Sequence, residues 1–142
     1  MSSLLDAARP RILVVEDDAD VLDLITTRLD LAGYHTFWAR DGRQGLARLA
    51  EVRPVAMVLD INMPALDGFG VLRKMRNDGR YPQVPTLMLT ARNHASDVQE
   101  ALSLGALDFL AKPFQDRQLL SRVARLLRVR PPRRDPDPTA YI

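Results

Sequence analysis

Met57-Val58-Leu59-Asp60 constrains the fold of this chain more than any other stretch. With Ala56 in front, an apolar run ends on one carboxylate, and the chain then turns through Ile61-Asn62-Met63-Pro64. A short run without polar alternation reads as a strand covered on both faces. Such a strand needs a packing layer above and below it. In open parallel sheets, chemistry collects at the carboxyl ends of the strands. Asp60 stands at that end, which makes it the first candidate for a working carboxylate.

The same pattern recurs along the chain. Arg11 to Val15 is a short apolar strand running into Glu16-Asp17-Asp18, followed by a helix from about Ala19 to Leu31. Val21, Leu22, Ile25 and Leu29 lie at helical spacing, with Asp18 placed as N-cap and Gly33 as the stop. Tyr34 to Trp38 is aromatic and β-prone, hence a second strand. Asp41-Gly42 is a turn, and Arg43 to Glu51 a helix with Leu46, Leu49 and Ala50 inward, ended by Pro54. Val55 to Leu59 is the third strand, with Asp60 at its tip. A third helix, Phe69 to Asn77, buries Phe69, Leu72 and Met75. Val84 to Leu89 is strand four, ending at Thr90. Ser96 is expected to cap a fourth helix through Leu104, stopped by Gly105. Its amphipathic face (Val98, Ala101, Leu102) is weak, so it is expected to be mobile. Leu107 to Leu110 is strand five, followed by Ala111-Lys112-Pro113. A fifth helix, Asp116 to Arg128, carries Leu119, Leu120, Val123 and Leu127 on one face. Trp38 and the leucine stripes are expected in the core, and His35 and His94 on the surface.

Five strand–helix alternations joined by right-handed crossovers imply an α/β fold. The expectation is a single doubly wound five-stranded parallel sheet flanked by five helices, flavodoxin-like. In a sheet of order 2-1-3-4-5, strands one, three and four are central. Their tips then converge beside the switch point between strands one and three. Glu16, Asp17, Asp60, Thr90 and Lys112, dispersed in the chain, would meet in one pocket.

Length and composition agree with one domain: 142 residues, 46% apolar and 27% charged. Residues 1–9 read as a flexible lead-in and 10–128 as the folded domain. Residues 129–142 read as a Pro/Arg-rich tail or linker. There is no cysteine, so disulfides and thiolate metal sites are excluded. No apolar run reaches the length of a membrane span, and Met1 to Arg9 lacks the pattern of a secretory signal. A cytoplasmic protein that binds no membrane is expected. The net charge of +2 is too small to argue for nucleic acid directly. Arginine supplies nearly all the positive charge, and Lys74 and Lys112 are the only lysines.

Arg11-Ile12-Leu13-Val14-Val15-Glu16-Asp17-Asp18, the Leu59-Asp60-Ile61-Asn62-Met63-Pro64 turn with Asp67-Gly68, the Leu89-Thr90-Ala91 end and the Lys112-Pro113-Phe114 end resemble a known family. That family is the receiver domain of response regulators, the phosphate-controlled switches of two-component signalling. The resemblance covers about residues 10–128. It implies that Asp60 accepts a phosphoryl group from a sensor histidine kinase or a histidine phosphotransfer protein. It also implies Mg²⁺ bound by the carboxylates of Asp17 and Asp60 and the backbone carbonyl of Asn62, with Glu16 helping through water. Hard oxygen ligands without His or Cys suit that ion. Lys112 and Thr90 would contact phosphoryl oxygens, a division of labour in which positioning and charge neutralisation carry the transfer. The family's cis peptide bond falls at Lys112-Pro113. Thr90 and Phe109 match the family's switch positions, and the signalling face would be helix four, strand five and helix five. No further enzymatic activity is implied beyond self-catalysed phosphoryl transfer and dephosphorylation at Asp60.

The output is open at this level. One expectation is a stand-alone receiver that binds an unknown downstream protein. Another is the receiver portion of a DNA-binding transcriptional regulator. Gln118-Leu119-Leu120-Ser121-Arg122-Val123 is similar to helix five of the winged-helix regulators, whose receivers dimerise through the signalling face. Asp108 and Arg122 match one of their intersubunit ion pairs, which implies a phosphorylation-dependent homodimer. Val98 and Gln118 stand where a second pair needs an arginine and a glutamate. A remote third reading is a Mg²⁺-dependent phosphatase with an aspartyl nucleophile. Asn62 then occupies the place of the second acid/base. A dinucleotide-binding domain is weaker, since no Gly-x-Gly-x-x-Gly follows strand one.

Overall fold

A computed structural model describes residues 9–91 and 95–128. Strand and helix alternate as β1 (Arg11–Val15), α1 (Ala19–Leu31), β2 (His35–Ala39), α2 (Gly42–Val52), β3 (Ala56–Asp60), α3 (Gly68–Asn77), β4 (Thr86–Thr90), α4 (Ala95–Ser103), β5 (Asp108–Ala111) and α5 (Asp116–Leu126). The five strands form one parallel sheet of order β2-β1-β3-β4-β5. This is the α/β, doubly wound architecture expected from the alternation. The 1–9 lead-in (save Arg9), the 129–142 tail and the surface placement of His94 lie outside the described residues. No helix among the described residues is long and apolar enough to cross a membrane.

The period-2 alternation of strand side chains divides the core in two. Leu13, Val15, Met57, Leu59 and Met88 face one side, where Leu46, Leu49, Phe69, Leu72, Met75 and Ala101 of α2, α3 and α4 cover them. Ile12, Val14, Val58, Leu87, Leu89 and Leu110 face the other, under Leu22, Ile25, Leu29, Leu119, Val123 and Leu126 of α1 and α5. Every residue of β3 and β4 is buried, as the apolar runs Ala56–Leu59 and Leu87–Leu89 require.

Aspartates start three of the helices. Asp18 accepts from the N–H groups of Asp20 and Val21 at 2.9 and 3.2 Å, Asp41 from Gln44 N–H at 2.8 Å, and Asp67 from Gly70 N–H at 2.8 Å. Each satisfies an amide that the helix cannot, an effect worth about 1 kcal/mol. Gly33, at φ 102°, closes α1 in the left-handed region that a side chain disfavours.

Several expectations need correction. Trp38 is not core but 49% exposed, because β2 is the sheet's edge. Ala50 faces solvent, while Gly45 and Val52 point inward with Leu46 and Leu49. Ser96 does not cap α4; the helix already runs from Ala95, leaving Ser96 in its first turn. Leu102 is exposed, and α4 buries only Asp97 and Ala101.

At that edge, His35 N–H donates to Pro10 C=O and Glu16 N–H to Ala39 C=O. Odd-numbered residues of β2 thus bond inward to β1, and even-numbered ones point out. Thr36 N–H donates to Asp30 Oδ1 at 3.3 Å, and Arg40 N–H to Gln44 Oε1 at 3.0 Å. Arg9 ties the α1–β2 turn to the start of β1, donating to the carbonyls of Asp30, Gly33 and Tyr34.

The β3–α3 loop is held tightly. Gly68 N–H donates to Ile61 C=O at 2.8 Å, and a Cβ on Gly68 would lie 2.5 Å from the Asp60 carbonyl oxygen. Within that loop Ala65 sits at φ 68°, where an L side chain is disfavoured. Ala65→Gly is expected to raise stability by about 0.5–1 kcal/mol, the relief of that strain less the added freedom of the unfolded chain. Denaturant midpoints of the two proteins check this; a lower midpoint for the glycine variant refutes it.

Candidate functional site

Parallel strands put all their carboxyl ends on one rim. Glu16 follows β1 directly and is fully buried; Asp17 is half-buried; Asp60 closes β3 at 2% exposure. Carboxylate oxygens of these three residues all lie within 4.8 Å of one another. Lys112 enters from the end of β5. Its Nζ stands 2.7 Å from Glu16 Oε1 and 3.3 Å from Asp60 Oδ1. Its N–H donates to Thr90 C=O at 2.7 Å, tying the lysine backbone to the end of β4. The Lys112–Pro113 peptide bond is cis.

The charges do not balance. One ammonium serves three carboxylates, two of them shut away from water. Burial pushes the Asp60 carboxyl up from 3.8 to about 7; the charge of Glu16 adds to the rise, and Lys112 opposes it. Burial alone would lower the pKa of Lys112, but its contacts with Glu16 and Asp60 overcome that and hold it above its ordinary value. Close-set hard oxygen donors with excess negative charge fit a small divalent cation of the Mg²⁺ kind.

Of the residues expected from sequence, Glu16, Asp17, Asp60 and Lys112 meet in one cluster. Thr90 lies beside it, buried and in register with Ala111. Asn62 is exposed on the loop two residues beyond Asp60. Phe109 is half-buried and packs against the core under α2, α3 and α4. Its carbonyl accepts from Arg122 Nη1 at 3.1 Å. Arg122 also pairs with Asp108 at 2.8 Å, and Arg125 reaches the same carboxylate at 3.3 Å. The pair read from sequence as intersubunit is thus satisfied within one chain. Sequence reasoning missed Arg40, whose Nε and Nη2 donate to Asp17 C=O at 3.2 and 2.9 Å. Its place at the end of the strand beside β1 was the available signal.

A family model described as the response regulator receiver domain matches residues 12–124. The chain belongs to that family. Among proteins similar to this receiver is the transcriptional regulatory protein PrrA of Mycobacterium tuberculosis, 47% identical over 85% of this chain and 51% of its own length. The DNA-binding dual master transcriptional regulator RpaA of Synechocystis is 40% identical over 84% of this chain and 49% of its own. The receiver spans about half the length of these curated relatives. Among solved structures, the chemotaxis response regulator CheY4 of Vibrio cholerae superposes with a TM-score of 0.79 at 33% identity, covering 84% of this chain and all of that one. The receiver domain of the sensor histidine kinase PA1611 from Pseudomonas aeruginosa, described with a magnesium ion coordinated in its active site cleft, gives 0.78 at 31% identity, covering 86% and 100%.

The raised Asp60 pKa ties stability to pH. Between about 3.8 and about 7, the folded metal-free receiver keeps a proton on Asp60 that the unfolded chain has lost. This contribution is therefore full below pH 4 and fades as pH rises to 7. Asp60→Asn removes it. Without divalent cation, the variant is expected to gain on the parent from pH 4 to pH 7, by at most about 1.4 kcal/mol per unit. Thermal or denaturant unfolding across that range, in chelator, measures the difference. A constant offset between the two proteins overturns the assignment.

Proposed function

We propose that this receiver takes a phosphoryl group onto Asp60 from a phosphohistidine of a sensor histidine kinase or a histidine phosphotransfer protein. An Asp60 carboxylate oxygen forms the bond to phosphorus as the P–N bond breaks and the imidazole leaves with its electron pair. The product is an acyl phosphate, and its later hydrolysis returns the free carboxylate. The observation that carries this reading is Lys112, whose ammonium lies against both Asp60 and Glu16. A carboxylate approaching an anionic phosphoryl group needs positive charge already in place, and preorganised charge is the largest part of such catalysis.

The carboxylates of Asp17 and Asp60 and the Asn62 backbone carbonyl would hold Mg²⁺, with Glu16 helping through water. When bound, the ion neutralises crowded anionic oxygens on both protein and phosphoryl group. Lys112 is suited to follow the new charge, since its Nζ is 3.3 Å from the accepting carboxylate. Thr90 offers its hydroxyl from the next strand end, and the small side chain of Ala91 leaves room above the site. Phosphorylation adds roughly 1.5–2 negative charges. Thr90 turns toward that charge, and Phe109 moves inward behind it. The response reaches the face built by α4, β5 and α5, where a downstream partner or a second receiver docks. α4 suits this role because so little of it is buried. The proposed setting is the cytoplasm.

Two outputs fit the module. In one, the receiver itself binds a partner protein through the α4, β5 and α5 face. Alternatively it governs a DNA-binding segment, a reading favoured by the names and doubled length of PrrA and RpaA. Oligomeric state before and after phosphorylation separates them, a monomer-to-dimer shift favouring the second.

With Mg²⁺ and a small phosphodonor, intact mass is expected to show a single added phosphoryl group, absent in Asp60→Asn. A variant still labelled at another residue by its kinase would falsify the assignment. Lys112→Ala is expected to take the label more slowly, with Mg²⁺ then the main positive charge at the site, and to keep the resting conformation once labelled. An unchanged active-state conformation in that variant would remove the lysine from the switch.

A further inference from the structure

The β1–α1 turn carries three acidic residues, and two are anchored through their own side chains. Glu16 is buried against Lys112, and its N–H donates to Ala39 C=O at 3.0 Å. Asp18 caps α1. Asp17, between them, makes no cap, and its backbone is held from outside. Arg40 grips its carbonyl with two nitrogens at 3.2 and 2.9 Å. On the far side of the same peptide group, Asp18 N–H donates to Glu16 Oε2 at 3.1 Å. The plane of the Asp17–Asp18 peptide is therefore pinned at both its oxygen and its hydrogen. Rotating that plane would swing the bonds that set the direction of the Asp17 carboxylate.

Arg40 is itself braced. The β1–β2 register places Ala39 opposite Val15, so Arg40 falls level with the turn. Its N–H is taken by Gln44. Its side chain shares with Trp38, Leu22 and Thr26 the lining of a groove of about 230 Å³.

We propose that Arg40 is a positioning residue for the acidic pocket: by holding the Asp17 carbonyl it keeps the Asp17 carboxylate directed at the divalent cation. This rests on the reading of the pocket as a Mg²⁺ site. An exposed guanidinium has a competing effect, since its charge repels the cation, but exposed charges are strongly screened. Positioning and repulsion predict opposite signs when Arg40 is removed, so one titration separates them.

Mg²⁺ alone is titrated into the full chain and into Arg40→Ala, Arg40→Lys and Asp17→Asn, read by calorimetry and by the emission of Trp38, the single tryptophan. Partners that orient a metal ligand without touching the metal typically change affinity tenfold or more. Arg40→Ala is expected to bind Mg²⁺ roughly tenfold more weakly. Arg40→Lys, which keeps the charge but loses the two-nitrogen grip, is expected to fall between Arg40→Ala and the parent. The Asp18 amide is expected to exchange hydrogen faster in Arg40→Ala. If Arg40→Ala binds Mg²⁺ as tightly as the parent, or more tightly, while Asp17→Asn loses it, the positioning role is overturned and the Mg²⁺ site stands. A parent protein that binds no Mg²⁺ overturns both.

Discussion

Three carboxylates crowd together at the rim of the sheet with one ammonium against two of them, and the fold is what makes that arrangement tolerable. Free in water, such groups would separate. Here Asp60, Glu16 and Lys112 are each tied to an element that cannot move alone. Asp60 ends a strand buried on both faces. Glu16 is bonded through its backbone to β2. Lys112 is bonded through its backbone to β4. Two apolar layers, one on each side of the sheet, resist the separation that the charges favour. The site is a strained electrostatic arrangement carried by hydrophobic packing, as expected where function opposes local stability.

Most of this was legible because apolar runs and caps report on themselves. Leu13, Val58 and Leu87 had to be covered, and Asp18, Asp41 and Asp67 could each satisfy a helix start without distant help. Trp38 was misread for a physical reason: hydrophobicity records what a side chain prefers, not whether a layer exists to cover it. On the outermost strand, residues of α1 and of α2 line only open grooves beside the ring, and neither helix covers it. Ala50 was misread because it only flanks the inward stripe: Gly45, Leu46, Leu49 and Val52 fill that face, and Gly45 lets α2 approach Val15 closely. Within the site, residue types and order pointed to the cluster. They did not reveal that Lys112 lies closer to Glu16 than to Asp60, since this distance depends on packing.

The far side of β5 couples in a different way. Asp108 takes Arg122 and Arg125, and Arg122 also takes the Phe109 carbonyl. This ties the backbone at the aromatic residue to α5, while α4 on the other flank is fastened by few buried groups. The two helices beside β5 thus differ in how firmly they are held. Under the proposed switch, a change at Thr90 would meet one lightly fastened neighbour and one firmly held one, which would give the displacement a direction.

The outer margin of β2 bears on how such a module behaves at high concentration. An open strand margin is a template on which another chain can grow, and long polar-poor margins lead to aggregates. Here Asp30 and Gln44 already occupy the outward amides of Thr36 and Arg40. An incoming strand must first dislodge both side chains. Growth of the sheet along this margin therefore costs two backbone contacts before any new one forms.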